Sequence, residues 1–170
     1  MCGGRDNGGV PELEWGEVRE WFDPVGNGSA PDVVVEGTTL DDWRELLALV
    51  RESGWRAEYE VDGERFAVPG TAAELFVADG LRSLWVWPLP DLELIVRVWA
   101  PELILGDVSL HELQGQERLD ASCGILRVLG RRLGKRVAMY AEGSYDKHPP
   151  MLAYEVATDR VIFLAGPWGG

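Results

Sequence analysis

The chain has 170 residues, 46% hydrophobic and 26% charged, with 29 Asp and Glu against 16 Lys and Arg and a net charge of −13. Those figures exclude wholesale disorder and collagen-like repetition, and they predict one soluble globular domain whose core needs no metal or disulfide staple. So acidic a surface repels nucleic acid and anionic membranes, whose binding requires Lys and Arg on phosphates, and it steers a basic protein partner instead.

Two cysteines, Cys2 and Cys123, make no disulfide framework. The opening residues Met1-Cys2-Gly3-Gly4-Arg5-Asp6-Asn7 have no apolar signal-peptide core. The longest strongly apolar stretch, 84–100, is interrupted by Pro88, Pro90, Asp91, Glu93 and Arg97, so no membrane-spanning helix is predicted. A reducing cytoplasm is the expected compartment.

Residues 1–10 are Gly-rich and expected as a flexible tail, with a single α+β domain over 11–170. Val18, Trp21 and Phe22 fit one face of a short helix within 11–22. Asp23-Pro24, Gly26-Asn27-Gly28 and Pro31 mark a loop, and Val33-Val34-Val35 a short buried strand. The clearest helix spans about 40–53, capped by Thr38 or Thr39, with Leu40, Trp43, Leu46, Leu47 and Val50 on one face. A hairpin follows over 55–68, turning at Asp62-Gly63. Residues 71–78 suggest a short helix, and 82–87 with 92–99 a second antiparallel pair. In its second strand Leu92, Leu94, Val96 and Val98 share one face, and Glu93, Ile95, Arg97 and Trp99 a half-wet other face. A short strand is expected over 102–105, and a second helix over 117–133, ended by Gly134. Within that helix Gly130 counts against helix formation. Strands are expected over 136–141, 151–156 and 160–165, with a loop over 142–150.

The result is an α+β fold, a mostly antiparallel sheet with two main helices packed on it. Tyr59 to Phe66 parallels Tyr154 to Val161: each runs Tyr-Glu-Val, two turn residues, an acid, Arg and an apolar residue. A duplicated helix-plus-hairpin unit is one explanation, and the general similarity of polar-turned hairpins is the other.

Chemistry-bearing residues are sparse. Cys123 lies near the start of a helix, whose dipole lowers a thiol pKa, with Asp146 and His148 downstream. This makes Cys123, His148 and Asp146 the candidate catalytic set, but Cys123 also fits its helix's apolar stripe. His111-Glu112-Leu113-Gln114-Gly115 lacks the second His of a zinc helix, and no Cys-x-x-Cys exists. The glycine runs match neither a phosphate loop nor a dinucleotide fingerprint. No metal or cofactor is therefore predicted.

Eight tryptophans are many for this length. Trp85 and Trp87, two apart in a strand, share a sheet face, joined there by Trp99. Either helices cover that face, or it is an aromatic platform of the kind that anchors protein interfaces. Trp85, Trp87 and Trp99, with the carboxylates of Glu142 and Asp146, are the candidate partner-binding residues. Charge is uneven as well: residues 1–64 hold 16 acids against five bases, residues 127–170 four against seven.

The stretch Leu129-Gly130-Arg131-Arg132-Leu133-Gly134-Lys135-Arg136-Val137-Ala138-Met139-Tyr140-Ala141-Glu142-Gly143, followed by the hairpin 151–165, resembles the C-terminal part of small actinobacterial immunity proteins of polymorphic toxin systems. The resemblance covers about a quarter of the chain. It implies a bacterial cytoplasmic toxin inhibitor that binds by surface complementarity, and it carries over no functional residue. A non-enzymatic protein-binding role is thus the first expectation. A cysteine hydrolase or transferase is the second, and a subunit self-associating through a Trp-rich sheet the third.

Overall fold

The computed structural model describes residues 5–6 and 10–165. Two-residue strands β1 (Arg5–Asp6) and β2 (Val10–Pro11) pair at the start, and α1 (Trp15–Val18) follows. The expected tail is thus seen in part, and the rest of 1–10, Cys2 included, lies outside the described residues. The main body comprises β3 (Asp32–Glu36), α2 (Leu40–Glu52), β4 (Arg56–Val61), β5 (Glu64–Phe66), β6 (Arg82–Leu89), β7 (Leu92–Ala100), β8 (Leu103–Asp107), α3 (Gln116–Leu133), β9 (Val137–Tyr140), β10 (Leu152–Glu155) and β11 (Arg160–Phe163).

Nine strands form one sheet in the order β11-β10-β9-β3-β8-β7-β6-β4-β5, and every neighbouring pair is antiparallel. With α2 and α3 this is the α+β class the sequence predicts. The helices share one core with one face of the sheet: Trp43, Leu46, Leu126 and Leu133 meet Val33, Val35, Leu84, Val96 and Leu152. The other face carries a separate small cluster, Val34, Leu105, Ala138, Tyr140 and Ala153, to which no helix contributes. Strand periodicity explains the division, because alternate side chains point to opposite faces.

Local chemistry sets the element ends. The Asp42 carboxylate accepts from Thr39 N at 2.9 Å, holding the start of α2, while Thr38 Oγ1 donates elsewhere, to Pro101 O at 2.7 Å. Asp62 and Gly63 take φ of 49° and 85°, as a two-residue hairpin turn requires. The helices are tied by Arg132 to Glu45 and Glu52 (2.6 Å each) and by Lys135 to Asp42 (3.2 Å).

Two expected helices shrink. Residues 71–78 make only a 3-10 turn over Ala73–Phe76, and the helix expected within 11–22 is the single turn α1. Side chains ahead of and within α3 claim the latter segment's backbone. Gln116 Oε1 accepts from Trp15 N at 2.7 Å and its Nε2 donates to Leu13 O at 2.8 Å, while Gln114 Nε2 donates to Phe22 O at 2.6 Å. The two similar hairpins keep the same register, Tyr59 opposite Phe66 and Tyr154 opposite Val161, at opposite edges of the sheet. The first is followed in the chain by β6 and β7.

Candidate functional site

Cys123 is 1% exposed on the inner side of α3. Burial, reinforced by the nearby Glu12 charge, pushes its thiol up to about 12, so at neutral pH it is the protonated, poorly nucleophilic form. Glu12 is itself buried in an ion pair with Arg127 and accepts from Val161 N at 3.1 Å. His148 and Asp146 are exposed on the 141–150 loop, and among the described residues no hydrogen bond joins either to Cys123. The sequence-predicted catalytic set is not brought together. The helix dipole argument fails because Cys123 is the eighth residue of α3, beyond the first turn where the dipole acts, and burial raises its thiol.

The same loop is more ordered in its bonding than its composition suggests. Ser144 Oγ donates to Ala141 O at 2.8 Å, and Lys147 N and His148 N both donate to Ser144 O. The Glu142 carboxylate accepts from Ser29 N at 2.9 Å and thus fastens the loop to the chain before β3. Tyr145 lies edge-on to Tyr140, with centroids 5.1 Å apart, and donates to Glu36 at 2.7 Å. Burial and then that bond to Glu36 push the Tyr145 phenol up to about 12. Glu142 is therefore occupied in holding the loop, whereas Asp146 is exposed.

Beside this loop, Asp32 on β3 stands directly opposite Asp107 on β8. Burial, the hydrogen bond shared with Asp107 and the repulsion between the two raise Asp32 to about 6, against a Gly143 backbone bond that lowers it. Arg97 holds Asp107 at 3.0 and 2.5 Å. Among the described residues no group of three or more His, Cys, Asp or Glu could hold a metal ion.

Trp85 and Trp87 lie on the face away from the helices, each half-buried. Their rings stack at 6.2 Å, with Arg65 over Trp85 at 3.9 Å and Arg56 over Trp87 at 4.2 Å. Glu58, opposite Trp85 in the ladder, binds both arginines, at 3.0 Å to Arg56 and 2.7 Å to Arg65. Glu60 adds a 2.9 Å bond to Arg65. The Arg–Trp–Trp–Arg stack is thus capped by its own chain, and the Trp85 indole N–H is buried without a partner. Arg56 and Arg65 escape sequence reading because their proximity to the tryptophans is a matter of register between β4, β5 and β6. One signal was present: Arg56, Glu58 and Glu60 alternate as a polar strand face does. Next to the stack, Trp55, Trp87, Pro88 and Pro90 line a groove of about 510 Å³.

Trp99 differs. It is the penultimate residue of β7, on the same helix-free face, and is 59% exposed. Exposed Val77 and Leu81, which sequence reasoning passes over, stand at the same rim of the sheet. Among the described residues, no helix is long and apolar enough to cross a membrane. A scan against protein-family models finds no match, and neither does a search of curated proteins.

Proposed function

We infer that the chain acts by binding a basic protein partner rather than by catalysis. The observation that carries this reading is the one-sided sheet: nine strands carry both main helices on one face and leave aromatic and charged side chains on the other. The net charge of −13 supports a basic partner, which it would steer electrostatically, and opposes pairing of two identical copies. The sealed Cys123 removes the support for a thiol enzyme. Within this reading, a bacterial cytoplasmic inhibitor of the immunity type agrees with the helix, strand and hairpin over 129–165 that prompted the resemblance.

The test is co-expression with the product of a toxin gene adjacent to this one. Growth rescue and a stable complex at low salt that weakens as salt rises are expected. A toxin that kills unabated and forms no complex with the purified chain would overturn the inhibitor assignment.

A further inference from the structure

The large apolar side chains left exposed include Val77 (77%), Leu81 (76%) and Trp99 (59%), and Arg82, next to Leu81 in the chain, bonds the backbone on either side of Val77 and at Trp99. The Arg82 guanidinium donates to Phe76 O and Ala78 O at 2.8 Å each, to Val98 O at 3.2 Å and to Trp99 O at 3.5 Å. One side chain thus fixes the segment carrying Val77 against the end of β7 that carries Trp99. Leu81 directly precedes β6, and the pairing of Ser83 with Arg97 continues toward the level of Leu81 and Trp99.

The far side of this rim is equally fixed. In the turn from β7 to β8, Pro101 O accepts from Thr38 Oγ1 at 2.7 Å and Trp43 Nε1 at 3.0 Å, and Glu102 O accepts from Thr38 N at 3.1 Å. Apolar surface held this firmly loses little freedom on binding, which is the condition under which exposed aromatics contribute most affinity.

Charge selects the occupant. Asp62, Asp79 and Glu102 are exposed, and among the described residues no ion pair involves any of them. Asp62 accepts from Leu81 N at 2.8 Å. The Arg82 guanidinium beside them spends its donors on backbone carbonyls, and Arg97, two residues before Trp99, is paired with Asp107. The Trp85–Trp87 stack is the opposite case, since its arginines are neutralised by Glu58 and Glu60. A second copy of the chain would bring another −13 to this rim.

We propose that the rim formed by Val77, Leu81 and Trp99 with Asp79 and Glu102 docks a cationic amphipathic segment of a protein partner. The apolar side of that segment covers Trp99 and Leu81, and its Lys or Arg residues meet the carboxylates. This rests on the partner-binding reading above and gives it a location.

The experiment titrates isotope-labelled full-length chain with a short amphipathic Lys/Leu peptide, followed by amide chemical shifts, with a Glu/Leu peptide as control. Shifts confined to residues 77–82 and 98–103 are expected with the cationic peptide alone. Trp99→Ser with Leu81→Ser should weaken binding at least about tenfold. Asp79→Asn with Glu102→Gln should weaken it several-fold and flatten its salt dependence. Val25→Ser, which removes another exposed apolar side chain, should change nothing. All these positions are exposed, and circular dichroism melts of the variants verify folding. Shifts elsewhere with a silent rim overturn this location while sparing the partner-binding reading. Rim shifts on concentrating the chain alone identify a self-association surface and also overturn it. Absence of binding by the cationic peptide at low salt overturns both.

Discussion

Gly130 sits in the middle of α3, where glycine costs about 1 kcal/mol against alanine. The Tyr154 ring occupies the space a Cβ at 130 would take, so the helix gives up propensity to let β10 pack against it. Gly130→Ala should therefore destabilise the fold by a net ~1 kcal/mol, because overpacking by about 1–3 kcal/mol exceeds the gain in propensity. Urea unfolding measures this, and a stabilised variant would refute it. Asp32 makes a second residue-scale prediction. Its pKa is raised to about 6 by burial and by Asp107, with Glu142 adding repulsion, while Arg97 bonds Asp107 and Ser83. A raised acid stabilises the fold fully below its unfolded value and loses that contribution as pH rises through about 6. Asp32→Asn should thus be more stable than the parent at pH 8 by ~1 kcal/mol, after allowance for partial exposure, and the difference should vanish near pH 4. A difference independent of pH would show that the pair is not under electrostatic tension. The core position of Cys123 was legible from helical spacing alone, whereas the Asp32–Asp107 pair was not, because 74 intervening residues must fold before the two meet on adjacent strands.

At the scale of elements, α2 and α3 were readable because their apolar stripes repeat within a few residues and Thr39, Asp42 and Gly134 punctuate them locally. The hairpin at Asp62-Gly63 was readable for the same reason. The segment 11–22 was not, since its conformation depends on Gln114 and Gln116, about a hundred residues away. Those amides do what helix bonds would have done. Replacing Gln116 by Ala leaves Trp15 N and Leu13 O without their partners, an expected cost of about 1–3 kcal/mol. Hydrogen exchange should quicken in residues 11–22 by more than in α2. Uniform acceleration would mean that this segment opens only with the whole fold. The pairing of Trp85 with Trp87 was likewise local and legible, but the arginines that cap it came from register, so a face expected to be either covered by helices or an open platform is instead closed by its own side chains.

For the whole molecule, the α+β class followed from the succession of strands and helices, but the strand order did not. β3 is inserted between β8 and β9, partners more than sixty residues later, and only packing of both helices on one face selects that arrangement. Self-repulsion at −13 should make moderate salt raise the melting temperature, since screening relieves more repulsion than it costs in exposed ion pairs. A melting temperature that falls with salt would show instead that ion pairs such as Arg132 with Glu45 and Glu52 outweigh the net charge. The sheet ends, finally, in β5 of three residues, all exposed, and β11 of four, of which Arg160 and Ile162 are exposed, and each carries an arginine. Such brief, charged borders offer an incoming chain almost no backbone to zip onto. Ribbon-like growth from molecule to molecule is thereby disfavoured, and a partner of the kind proposed above would be recognised by side chains presented broadside or at the rim.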